Sequence, residues 1–153
     1  MATFLVINGP NLNVLGKRDP ELYGSMTLTE IEKRVQERAK ALGATVKFFQ
    51  SNHEADMVDY LQEHAEGADG IIINAGALTH YGLSLRDALT DTRLPIVEVH
   101  LSNVYAREEF RHKSVIAPIA AGQISGLGWQ GYLFALEYLV EKAKGMGKKR
   151  ARG

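Results

Sequence analysis

The chain has 153 residues, 45% of them hydrophobic, with 18 basic and 18 acidic side chains and no cysteine. That length fits one domain able to bury about two-thirds of its unfolded surface, and the apolar fraction excludes a disordered chain. The lack of cysteine excludes disulfides and thiolate metal sites, and the balanced charge directs no overall field at nucleic acid or a membrane surface.

The balance is uneven along the chain. Residues 142–153 carry six basic side chains and no acid, so residues 1–141 hold twelve basic against 18 acidic ones, a net charge of −6. A solvated basic tail over residues 145–153, following a catalytic domain over 1–144, is favoured over a nucleic-acid arm. The first residues lack a basic region and a signal-length apolar run, and no apolar stretch is long enough to span a bilayer. A cytoplasmic protein that binds neither nucleic acid nor membrane is expected.

Phe4-Leu5-Val6-Ile7 reads as a strand buried on both faces. Thr27-x-x-Glu30 is a capping box that opens a helix whose face is Leu28, Ile31, Val35, Ala39 and Leu42, with Gly43 at its end. Thr45–Phe49 is a second strand. A helix from about Glu54 turns Val58, Leu61 and Ala65 inward and ends near Gly67. Gly70–Asn74 is the third strand and Ser84–Thr90 the next helix. Pro95–His100 is the fourth strand. Val115–Ile119 reads as a fifth, placed at a sheet edge by Pro118. The last helix covers Trp129–Lys144. Strands alternating with helices predict a parallel sheet covered on both faces, an α/β fold.

In such sheets a pocket forms above the C-terminal strand ends. The polar residues there are Asn8 and Asn11, Asn74 and His80, and Glu98, His100 and Ser102. The connection from Asn8 to Ser25 is long for a strand-to-helix link and is a candidate lid, with Gly16 and Gly24 as hinges. It holds Arg18 and Tyr23. A guanidinium about 4 Å from a phenol favours the phenolate by roughly 4 kcal/mol at an effective dielectric near 20, enough to make a usable base. On spacing alone Tyr23 also fits an ordinary loop aromatic.

Glu98 and His100 share a strand face, since the side-chain period is two, and form either a carboxylate–imidazole unit or a structural histidine. Leu101-Ser102-Asn103 precedes an expected short helix bearing Arg107 and Arg111. Backbone N–H groups at a helix start suit a carboxylate. The two arginines, four apart, are expected to share a face, as a binding pair or as an exposed basic patch. Asn74-Ala75-Gly76-Ala77 permits close backbone approach, and Asn74 can donate to and accept from hydroxyls. Together these describe a pocket for a small hydroxylated carboxylate.

The run Asn8-Gly9-Pro10-Asn11-Leu12-Asn13 through Arg18 to Tyr23-Gly24 resembles the N-terminal signature of type II 3-dehydroquinate dehydratases. Asn74-Ala75-Gly76-Ala77-Leu78-Thr79-His80-Tyr81 is similar to their substrate-binding turn. Glu98-Val99-His100-Leu101-Ser102-Asn103 with Arg107 and Arg111 is similar to their third motif, and the turn Gly122-Gln123-Ile124-Ser125-Gly126 also fits. The resemblance implies a flavodoxin-like fold with strand order 2-1-3-4-5, assembled as a dodecamer of trimers. It implies anti elimination of water from 3-dehydroquinate to give 3-dehydroshikimate through an enolate, without metal or cofactor, in aromatic biosynthesis or quinate breakdown. It further implies Tyr23 as proton acceptor, Arg18 as transition-state stabiliser, His100 as proton donor oriented by Glu98, and Asn11 as holder of a water for the enolate. Leu101 and Ser102 would bind the carboxylate and Asn74, His80 and Arg111 the hydroxyls. Asp87 would reach the pocket of an adjacent subunit.

Rival enzymes on such a sheet fit poorly. A phosphotransfer receiver needs paired acids after strand one, where Asn8-Gly9 stands, and a flavin carrier needs a hydroxyl-rich phosphate turn. A binding module without catalysis is distinguished by the absence of turnover. No lysine stands at an apolar strand end as an imine-forming enzyme requires.

Overall fold

The computed structural model describes the backbone of residues 1–152 and the side chains of residues 1–147. Strands β1 (Thr3–Asn8), β2 (Thr45–Gln50), β3 (Gly70–Asn74), β4 (Ile96–His100) and β5 (Gly122–Ser125) pair in the order β2-β1-β3-β4-β5. Every pairing is parallel. This is the flavodoxin-like arrangement that the motifs implied.

Alternation along the strands sorts the core into two layers. Phe4, Val6, Ile72, Val97 and Val99 meet one pair of helices, α2 (Leu28–Ala41) and α5 (Gln130–Arg152). Leu5, Ile7, Ile71, Ile73 and Ile96 meet the other pair, α3 (Glu54–His64) and α4 (Leu83–Thr92). Each fully buried aliphatic side chain contributes roughly 1.5–3 kcal/mol, so neither layer is dispensable.

The helices start and stop for local reasons. Thr27 Oγ1 accepts the Glu30 N–H at 3.2 Å, the Thr27 half of the capping box. Leu28, Ile31, Val35 and Ala39 form the buried stripe of α2, and Arg38 pairs with Glu137 to tie α2 to α5. In α3 the fully buried positions are Met57 and Leu61, while Val58 and Ala65 are half-buried. Leu61 is buried as expected, Met57 joins it, and Val58 packs half-buried against the same layer. Gly82, before α4, supplies no side-chain cap, and Glu54 of α3 accepts the Leu85 N–H instead, at 3.0 Å. A carboxylate there suits a helix N-terminus.

The fifth strand differs from the sequence expectation. Residues Ala117–Ile119 form a 3-10 turn with Pro118 inside it, and Gly122–Ser125, expected as a turn, is the edge strand. Ser114 Oγ accepts the N–H groups of Ile116 and Ala117, at 3.0 and 2.9 Å, and bends the chain before Pro118. Pairing begins only when the Ala121 N–H reaches the Ile96 carbonyl, at 2.7 Å.

Helix α5 also differs, continuing past Lys144 to Arg152. Ala143, Met146 and the lysines beyond favour helix, and Gly145 and Gly147 cost too little to stop it. The expected basic tail falls on residues 145–153; its side chains from residue 148 on, and Gly153 entirely, lie outside the described residues. Among the described residues no helix is long and apolar enough to cross a membrane.

Candidate active site

The C-terminal strand ends converge on a pocket of about 120 Å³, lined by Asn11, Arg18, Tyr23, Asn74, His80, His100, Leu101, Ser102, Arg107 and Arg111, with Pro10, Leu12, Gly76, Ala77 and Val104. A larger cleft of about 880 Å³ lies at the opposite end of the sheet, under α5, and contains none of these residues. The smaller pocket holds the polar strand ends, so it is the candidate site.

Its floor depends on a close crossing. The Gly9 N–H donates to the Asn74 carbonyl at 2.8 Å, and a Cβ on Gly9 would lie 2.3 Å from the Ala75 carbonyl oxygen. No residue with a side chain fits where the β1 and β3 ends meet. Asn11 follows in a left-handed conformation, φ 71°, and its N–H donates to Asn52 Oδ1 at 3.0 Å. Gln50 Nε2 donates to both the Gly9 carbonyl and Asn52 Oδ1, at 3.2 Å each. The β2 end thus braces the loop that presents Asn11.

Tyr23 is delivered by a single helical turn, α1 (Pro20–Tyr23). Asp19 caps it by accepting the Glu21 N–H at 3.0 Å, Pro20 presets its first position, and Gly24 ends it at φ 76°, where a side chain would be strained. Arg18 Nη2 donates to the Tyr23 hydroxyl oxygen at 2.9 Å, and the guanidinium carbon lies 3.9 Å from the ring centre. The Arg107 guanidinium is 5.3 Å from the same ring, and its Nη1 donates to Ser102 Oγ at 3.2 Å. The expected helix joining Arg107 to Arg111 is absent. Two separate 3-10 turns, Val104–Ala106 and Glu109–Arg111, flank an extended Arg107. Both arginines line the pocket nonetheless, and Arg111 also pairs with Glu108.

On the other side His100 and Glu98 do share a strand face and bond directly through His100 Nε2. The other ring nitrogen, Nδ1, is therefore the one able to exchange a proton with a bound molecule. Glu98 is completely buried. It accepts from Thr79 Oγ1 at 2.7 Å, from Ser114 Oγ at 2.8 Å and from Gln123 Nε2 at 3.0 Å. Burial alone pushes the Glu98 carboxyl up. Hydrogen bonding and charge from His100, with the Thr79 and Ser114 hydroxyls, outweigh it and hold the carboxyl below its ordinary value.

A depressed carboxyl stabilises the fold fully above the ordinary carboxylate value, and that stability is lost as pH falls through the lower, folded value. The melting temperature of Glu98→Gln should accordingly depend less on pH in the acid range than that of the parent. Parallel curves would remove the carboxylate from this role.

His80 Nδ1 lies 2.7 Å from the Lys113 carbonyl, which can only accept, so Nε2 remains for a ligand. Asp87 is exposed on α4 and does not line this pocket. Sequence reasoning missed Thr79, Ser114 and Gln123 as partners of Glu98. The available signal was a carboxylate in a buried strand, which requires donors, although nothing in the chain names residues 16 to 25 positions away.

Among the described residues, three arginines, two histidines and no carboxylate line the pocket. That set suits acid–base chemistry on a small anion, with a phenol bonded to a guanidinium and an imidazole bonded to a buried carboxylate in one pocket, and it marks the chain as an acid–base enzyme on a flavodoxin-like sheet.

Residues 2–140 match the dehydroquinase class II family. The 3-dehydroquinate dehydratase of Roseiflexus castenholzii is 65% identical over 136 residues, 89% of this chain and 87% of that one. That of Bacillus subtilis is 54% identical over 145 residues, 95% and 98% of the two chains. The crystal structure of type II dehydroquinase from Butyrivibrio crossotus superposes with a TM-score of 0.88 at 46% identity, covering 90% of this chain and 97% of that one. The chain belongs to the class II dehydroquinases. Its reaction is the dehydration of 3-dehydroquinate in the shikimate pathway.

Proposed function

We propose that this pocket performs an anti elimination in two proton transfers, carried by one observation: Tyr23 with its Arg18 partner, and His100 backed by the buried Glu98, line the same cationic cavity. Tyr23, as its anion with Arg18 as counter-ion, takes the proton from C2 beside the ketone. The C–H electrons pass to the ketone oxygen, and the resulting enolate is stabilised through a water held by Asn11. His100 then gives the Nδ1 proton to the C1 hydroxyl while Glu98 fixes the ring. The enolate collapses, the C1–O bond breaks, and water leaves behind the conjugated enone 3-dehydroshikimate. Proton transfer from the Tyr23 hydroxyl to His100 through solvent resets both groups.

The backbone N–H groups of Leu101 and Ser102 hold the carboxylate, while Asn74, His80 and Arg111 hold the ring hydroxyls. Arg107, between Ser102 and the Tyr23 ring, adds positive charge where both anions sit. Asp87, exposed on α4, reaches the pocket of a neighbouring subunit in a trimer, and four trimers make a dodecamer in the cytoplasm. Residues 1–144 are the catalytic unit, and no metal or cofactor takes part.

Purified protein given 3-dehydroquinate should generate the ultraviolet absorbance of the enone, and borohydride added with substrate should leave activity intact, because among the described residues no lysine lines the pocket. Inactivation by borohydride would mean a covalent imine and a different mechanism.

A further inference from the structure

We propose that Tyr132, which does not line the pocket, is a positioning residue that locks the Asn74 amide in the orientation presented to a substrate hydroxyl. The inference rests on the reading of Asn74 as a hydroxyl-binding residue. Asn8 and Asn74 are register partners at the ends of β1 and β3, and strand parity sends both side chains toward α5. There the Tyr132 hydroxyl, wholly buried, sits between them. It donates its single hydrogen to Asn8 Oδ1 at 2.5 Å and accepts from Asn74 Nδ2 at 3.0 Å. Asn74 Oδ1 accepts the Gly76 N–H at 3.2 Å.

Both ends of the Asn74 amide are thus specified. A flipped amide would set its NH₂ group against the Gly76 N–H, donor against donor. One N–H and one oxygen lone pair remain for a ligand, so the direction in which Asn74 donates and accepts is decided before substrate arrives. Burial pushes the Tyr132 phenol far above its ordinary range, so it stays a neutral donor and acceptor at working pH, unlike the role assigned to Tyr23.

Packing alone does not account for this arrangement. Tyr132 lies among Ala135, Leu136 and Leu139, where a phenylalanine would fill the same ring volume. Among the described residues, Asn8 Nδ2 is the buried side-chain nitrogen left without a partner. A core selected only for stability would replace these polar groups by apolar ones, because an unpartnered buried donor is destabilising. The network retains that cost while fixing a residue on the pocket wall.

Steady-state kinetics of Tyr132→Phe, Asn74→Ala and the double variant test the inference. Releasing one oriented hydrogen bond should raise KM about tenfold, with kcat falling less than about threefold. In the Asn74→Ala background Tyr132→Phe should raise KM no further, a non-additivity that general loosening of the core does not produce. Unchanged KM in Tyr132→Phe beside a raised KM in Asn74→Ala, or additive effects, would overturn the positioning role alone. An unchanged KM in Asn74→Ala would instead overturn the reading of Asn74 itself. Should Tyr132→Phe not fold, Asn8→Ala removes the acceptor while keeping the phenol. A KM rise of about threefold, absent in the Asn74→Ala background, is then expected, and no rise overturns the proposal.

Discussion

Tyr23→Phe should lower kcat about a thousandfold or more while the dissociation constant for 3-dehydroquinate, measured by calorimetry, changes little. The substitution removes one oxygen and leaves the ring, α1 and the Arg18 guanidinium over the ring face in place. What disappears is the atom to which Arg18 donates, and with it any base on that side of the substrate. A carbon acid beside a ketone loses its proton only to a strong, well-placed base, so no other pocket residue takes over. A variant within tenfold of the parent would show that another group removes the C2 proton.

His100→Ala should also lose roughly 10²- to 10⁴-fold in kcat, the usual contribution of a general acid, yet at a different point in the reaction. With Tyr23 and Arg18 intact, the enolate can still form and revert. In heavy water the C2 hydrogen of 3-dehydroquinate should therefore exchange, as followed by proton NMR, even where dehydration has almost stopped. Tyr23→Phe should show neither exchange nor dehydration. Exchange that disappears in His100→Ala would assign the imidazole to the first proton transfer and reverse the roles of the two groups.

Much of this was legible in the chain because the elements announce themselves twice, by period and by punctuation. Leu28, Ile31, Val35 and Ala39 repeat as a helix face, and Thr27 opens that helix. The Phe4–Ile7 and Ile71–Ile73 runs are apolar on both faces because both faces are covered. Part of the candidate site was legible for a similar reason, since Asn74, Glu98 and His100 stand where parallel strands run out.

The errors arose where the chain follows side-chain hydrogen bonds. Val115–Ile119 has the composition of a strand, yet Ser114 bends it into a turn by accepting two backbone N–H groups, and the less apolar Gly122–Ser125 pairs instead. Arg107 and Arg111 have helical spacing, but the chain makes two short turns there. The partners of Glu98 come from Thr79, Ser114 and Gln123, contacts created only by folding. Tyr132 reads as one more apolar position of α5, and its hydroxyl acquires meaning only when β1 and β3 bring two amides to it.

Arg18 and Tyr23 sit five residues apart on one stretch of chain, the guanidinium bonded to the phenol oxygen across a single turn. Any displacement of that stretch carries the pair away from the pocket as a unit. On the proposed reading, base and counter-ion therefore arrive at the substrate, or leave it, together.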